Sequence, residues 1–109
     1  MKKYAPAVRG FKKDLNRRLR DPDFAAEFLN ACLEENDKQL FLKALRDVLE
    51  AHGGMTQIAK AAKLNRVSLY KMLHPEGNPG FDNVLKLLQV VGIRFYVKPK
   101  KSRHSPKAA

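Results

Sequence analysis

One cysteine, Cys32, is all that 109 residues contain. No internal disulfide can form, so the chain fits a reducing cytoplasm. The uncharged runs fall short of the ~20 apolar residues a spanning helix needs, and no membrane partner is expected. Met1-Lys2-Lys3-Tyr4-Ala5-Pro6 leads into Arg9 and Lys12-Lys13 instead of an apolar stretch, which speaks against a secretory signal peptide. Catalytic constellations are equally thin. His52, His74 and His104 stand far apart, with no two at ligand spacing on one helix, so no metal site is expected. The run 77–80, Gly-Asn-Pro-Gly, lacks the spacing and the lysine of a phosphate loop. No serine or cysteine has a base nearby in sequence. The expectation is a protein without cofactor or catalytic role. At this length one modest core can form, and two cannot.

Charge is plentiful and unevenly placed. Lys and Arg number 22 against 11 Asp and Glu, a net +11. Residues 1–20 carry +7 and residues 98–109 carry +5, while 21–97 is near neutral at −1. Within that middle, 21–53 carries −5 and 54–80 carries +3. Basic arms point to a polyanion, most often nucleic acid. The alternative is that charged termini only keep a small protein soluble. The sequence divides accordingly into a basic arm or helix (1–20), a folded domain (21–97) and a basic disordered tail (98–109).

Apolar periodicity over 8–20, with Val8, Phe11, Leu15 and Leu19 between basic residues, predicts an amphipathic helix. Its stripe is narrow and suits packing on its own domain, with docking to a partner or a membrane surface as alternatives. Residues 1–7 read as extended or disordered. Asp21-Pro22-Asp23 opens the next helix, Asp21 as N-cap and Pro22 at the first helical position. Phe24, Phe28, Leu29, Cys32 and Leu33 form its inward face. Asp37 or a neighbour opens a third helix facing inward through Phe41, Leu45, Val48 and Leu49, which Gly53 stops. His52 suits that helix's C-terminal dipole. A short helix over 56–62 would bury Ile58, Ala59 and Ala62, and a turn at 63–65 precedes a helix over 66–73 capped by Asn65. The breaker-rich 74–80 must be a loop. A last helix over 81–91 would bury Val84, Leu85, Leu87 and Leu88, and the alternating 93–97 reads as one strand.

Residues 56–73 are therefore a helix, a three-residue turn and a second helix in a cationic setting. That layout serves major-groove readers, in which the second helix enters the groove. It needs a small residue where the helices cross (Ala59), an apolar plug in the turn (Leu64), and core contacts at Leu69 and at Leu73 or Met72. Candidate DNA contacts are Gln57, Asn65, Arg66, Val67, Ser68, Tyr70, Lys71 and His74. Arg66 suits a guanine edge, Val67 a thymine methyl, and Gln57 a phosphate. Tyr70 reads either as a contact or as a half-buried support, and His74 either as a phosphate contact or as a loop residue.

Gln57-Ile58-Ala59, Leu64-Asn65-Arg66 and Leu69 resemble the Cro/Xre repressor family, with Lys63 where that family commonly has glycine. Either a left-handed lysine there costs about 1 kcal/mol, or the turn differs slightly. More widely, the Asp-Pro opening and its continuation over 21–31, 44–48, Gly53-Gly54-Met55, Leu69-Tyr70 and Gly77-Asn78-Pro79 resemble the addiction-module antidote proteins. These are small Xre-type antitoxins that accompany RelE-type toxins. The resemblance covers roughly 21–98. It implies a mainly all-α fold of five to six helices, Cro/repressor-like, closed by the short C-terminal β-strand. It also implies a homodimer on a palindromic operator in double-stranded DNA, a toxin partner, and repression of its own operon. A solitary prophage-type regulator and an architectural nucleic-acid binder are the alternatives. The acidic half supplies a candidate toxin surface at Glu27, Glu34, Glu35 and Asp37. The strand, through Ile93, Phe95 and Val97, would pair with its symmetry mate because a lone strand leaves backbone groups unpaired.

Overall fold

Local chemistry sets the helix ends. In the computed structural model, which describes residues 5–100 with side chains from Phe11 onward, six helices follow one another. They are α1 (Ala5–Leu19), α2 (Pro22–Glu34), α3 (Lys38–Ala51), α4 (Gly54–Ala62), α5 (Arg66–Met72) and α6 (Phe81–Val90). Asp21 caps α2 by accepting the Asp23 N–H at 3.0 Å, with Pro22 just inside the helix. Asp37 caps α3 by accepting the Leu40 N–H at 3.2 Å. Between them Asn36 is left-handed at φ +59°, a conformation asparagine tolerates better than most residues. Gly53 and Gly54, at φ +117° and +84°, reverse the chain between α3 and α4. Side chains other than glycine are strained at both.

Those caps fold the chain about α3. It packs against α1, α2 and α4, and α4 in turn packs against α5 and α6. The arrangement demands a broad apolar surface on α3, and Leu42, Ala44, Leu45, Val48, Leu49 and Ala51 are all buried. Each fully buried leucine or valine of that set contributes about 1.5–3 kcal/mol. Leu19, Leu29, Met55, Ile58, Leu69, Leu73, Leu87 and Leu88 complete one continuous core. Cys32 lies within it. Burial raises its thiol pKa above the ordinary value, and the carboxylates of Asp47 and Glu35 push it further the same way. A neutral, enclosed thiol is a packing group and a poor nucleophile.

His52 does more than complement a dipole. Its ring Nε2 lies 2.7 Å from the carbonyl oxygen of Leu19, so that nitrogen donates, and the last residue of α1 is tied to the end of α3. Helix C-termini leave carbonyls without partners inside the helix, and this one is satisfied across the core. With Leu19 wholly buried beneath it, α1 is fixed to the body at its C-terminal turn.

The all-α expectation stands, but several details do not. The extended reading of 1–7 fails at residues 5–7, which already belong to α1; a proline in a first turn gives up no helical hydrogen bond. Residues 1–4 lie outside the described residues. Phe11, Leu33 and Leu85 are exposed, although periodicity placed all three inward. The strand over 93–97 is absent, and no strand occurs among the described residues. Gly92, at φ +79°, turns the chain so that Ile93 N–H donates back to the Leu88 carbonyl at 2.9 Å. The Phe95 ring then meets the Phe81 ring edge to face at 5.4 Å. One extended segment without a neighbour of its own kind has nothing to pair with, and side-chain contacts with α6 take over. Residues 98–100 carry no regular structure, and the rest of the basic tail, His104 included, lies outside the described residues.

The cross-core hydrogen bond gives a direct test. His52→Leu keeps the bulk but leaves the Leu19 carbonyl without its partner. Urea unfolding should show a loss of about 1–2 kcal/mol with the denaturant slope unchanged.

Candidate nucleic-acid interface

The short α4–turn–α5 unit is held by backbone chemistry at each joint. Lys63 is left-handed, φ +58° and ψ +44°, as the geometry of the turn requires. That lets Leu64 N–H reach back to the Ala59 carbonyl at 2.8 Å. Ala59 is buried and small enough for the two helices to approach, and Leu64 sits half-buried as the plug between them. Asn65 then opens α5. Its Oδ1 accepts from Val67 N–H at 2.8 Å and Ser68 N–H at 3.2 Å, which fixes the amide orientation and leaves its NH₂ donors outside the cap.

Only Leu69 of α5 is fully buried, with Leu73 buried just beyond its end. Arg66, Val67, Ser68 and Lys71 are exposed, and Val67 is 64% exposed, unusual for an apolar side chain in a helix this short. Tyr70 is half-buried, the supporting position foreseen as one of its two readings. The Arg66 guanidinium lies 5.4 Å from the centre of the Tyr70 ring, one turn along the same helix. From α3, the Arg46 guanidinium lies 5.5 Å from the same centre. Arg46 was not singled out from sequence. It stands in the acidic stretch, and only the packing of the folded chain brings it to α5.

The C-terminal end of α5 is closed by the loop. Gly77 N–H donates to the His74 carbonyl at 2.6 Å, and a Cβ on Gly77 would collide with the carbonyl oxygens of Lys71 and Met72. Glycine is required there by close approach. His74 Nδ1 accepts the Glu76 N–H at 3.1 Å, leaving Nε2 as the proton-bearing nitrogen of the neutral ring, and the residue is exposed. Gln57 is exposed too, but α4 starts at Gly54, so it sits a turn inside the helix and not at its first residue.

Charge around this unit is uncompensated. Among the described residues, ion pairs join Asp14 to Arg17 and Arg18 within α1 and Lys43 to Asp47 within α3. None involves Arg46, Lys60, Lys63, Arg66 or Lys71. On the other half Glu27, Glu34, Glu35 and Asp37 are all exposed, though the Asp37 carboxylate is occupied as the α3 cap. Of the three expected dimer residues, Ile93 packs partly on the core, Phe95 rests on Phe81, and Val97 is 82% exposed. No group of three or more His, Cys, Asp or Glu among the described residues could hold a metal ion.

A family model described as "Probable addiction module antidote protein" matches residues 10–99. The chain belongs to that antidote family. The match spans all of α2 to α6 and most of α1. An "Uncharacterized protein" of Haemophilus influenzae is 39% identical over 71 residues, covering 65% of this chain and 72% of that one. No solved structure matches the chain. Membership in the antidote family suggests an antitoxin of an addiction module; antidotes in general imply a toxin partner and are generally not enzymes. No helix among the described residues is long and apolar enough to cross a membrane.

Two substitutions in this turn should move stability in opposite directions. Asn65→Ala removes the α5 cap and should lower it by about 1 kcal/mol. Lys63→Gly removes left-handed strain and should raise it by about 1 kcal/mol. Thermal unfolding followed by circular dichroism reads both shifts.

Proposed function

We propose that this protein is the DNA-binding antitoxin of a type II toxin–antitoxin module, neutralising a RelE-type toxin and repressing its own operon. The observation that carries the DNA half is α5 itself. It is capped at Asn65, anchored through Leu69, and turns Arg66, Val67, Ser68 and Lys71 outward, with neither cation in an ion pair among the described residues. This is the layout of a Cro/Xre-type reading helix. Arg66 has the planar fork for a guanine edge, and Val67 has an apolar surface for a thymine methyl. Lys71, Gln57, His74 Nε2 and the Asn65 NH₂ group are donors suited to phosphates. The basic tail adds sequence-blind affinity.

The toxin half rests on family membership and on the acidic surface of α2 and its end, where Glu27, Glu34 and Glu35 are exposed. A toxin that cleaves RNA is expected to be basic, so the charges are complementary. For the dimer, exposed Phe81, Leu85, Phe95 and Val97 form an apolar strip on and after α6. A second copy covering it would relate two α5 helices by a two-fold axis, as half-sites about 34–36 Å apart require.

Three experiments decide the reading. Arg66→Ala should weaken binding to the duplex upstream of its own gene by about 1–3 kcal/mol and relax preference at one base pair; Lys71→Ala should weaken all duplexes alike. Specific and random duplex bound as by the parent would remove α5 from the interface. Coexpression with the protein encoded next to it should relieve that protein's toxicity, and charge reversal at Glu27 and Glu34 should abolish the relief while leaving DNA binding in place. If no neighbouring toxin is neutralised while operator binding persists, the protein is a solitary regulator. Phe95→Asp should give a monomer with weakened operator binding, read by equilibrium sedimentation; a monomeric parent, or a mutant that stays dimeric, would move the interface elsewhere.

A further inference from the structure

We infer that Arg46 is a phosphate-contacting residue of the DNA interface, and that the Tyr70 ring is the joint that positions both its guanidinium and that of Arg66. This deepens the DNA-binding reading and rests on it. Arg46 belongs to α3, the helix at the centre of the body and outside the α4–α5 unit. Its guanidinium nevertheless lies 5.5 Å from the Tyr70 ring centre, and that of Arg66 lies 5.4 Å from the same point. Two like charges are therefore no farther apart than the sum of those distances, close to the Debye length of ~10 Å in 0.1 M salt. Among the described residues neither has a carboxylate within ion-pairing reach, although Asp47 is Arg46's chain neighbour and pairs instead with Lys43 at 3.5 Å.

A ring that attracts cations offsets part of this repulsion, since guanidinium over an aromatic face is favourable by electrostatics. It does not neutralise the charge. What remains is a pair of preoriented forks, fixed on a half-buried ring, that an anion would stabilise further. The anion that α5 would meet is the phosphate backbone bordering the groove. Arg66, at the start of the reading helix, is placed for a base edge, and Arg46, on the neighbouring helix, for the strand alongside. Bidentate recognition of phosphate suits arginine's planar fork better than lysine's point charge. Arg46 also lines the groove between α3 and the loop after α5, beside Leu73 and Pro75; Lys12 and Lys43 line it too, together with Asp37 and Asp47.

The test uses fluorescence anisotropy of a labelled mixed-sequence duplex, over a range of salt concentrations, with the full chain. Arg46→Gln keeps most of the aliphatic packing, and a circular dichroism melt confirms that the variant is folded. It should bind about tenfold more weakly, with the salt slope reduced by about 1. Arg46→Lys should restore the slope and only part of the affinity. Tyr70→Phe, which keeps the ring, should preserve the Arg46 contribution. In a Tyr70→Leu background, Arg46→Gln should have little further effect, because the joint is already gone. A folded Arg46→Gln protein with the parent's slope, whatever its affinity, overturns the phosphate contact. An undiminished Arg46→Gln effect on Tyr70→Leu overturns the joint. If the parent itself binds no duplex, the DNA reading falls and takes this assignment with it; if the parent binds and Arg46→Gln matches it, this assignment falls alone.

Discussion

A helix of 14 residues with Leu45, Val48 and Leu49 at zero exposure has to be covered on more than one side, and α3 is that helix. A surface helix buries one stripe, whereas α3 adds Leu42, Ala44 and Ala51 to its inward set. Covering it uses α1 and α2 on the N-terminal side and α4 toward the other, which leaves α5 and α6 to be carried by α4. Helix α5 therefore touches the centre of the molecule mainly through one intermediary. Its position depends on the close crossing at Ala59 and on the core contacts of Leu69 and Leu73.

The same centrality explains how charge is distributed. In sequence, acidic 21–53 and basic 54–80 are consecutive blocks. In the fold, α3 carries both signs: its cap residue Asp37 and Asp47 line the same groove as Lys43 and Arg46, and Arg46 reaches the Tyr70 ring of α5. The two blocks thus meet along one helix.

Helix ends were legible because each depends on a few neighbouring atoms: an aspartate before a proline, a glycine pair, an asparagine before a basic turn. Lys63 rested on resemblance instead: at a position where the family commonly has glycine, a left-handed lysine and a slightly different turn were both open, and the chain takes the first. Burial was harder. Phe11, Leu33 and Leu85 fit a helical period, yet period tells which residues share a face and not how far a neighbouring helix extends over it. The strand reading of 93–97 rested on residue preference, and preference cannot supply a second strand. Arg46 was out of reach altogether, because its role depends on a contact between helices about twenty residues apart in the chain, and no local pattern encodes that distance.

At seven residues, α5 is far shorter than an isolated helix needs to persist in water, which is about 12–15 residues. It exists because Asn65 holds its first turn and Gly77 closes against its last, with Leu69 seated in a core contributed by other elements. No subdomain can present this surface alone. The exposed face of α5 is therefore a cooperative property of the fold: an event that opens the core, whether heat or a mutation distant from α5, melts this helix with it.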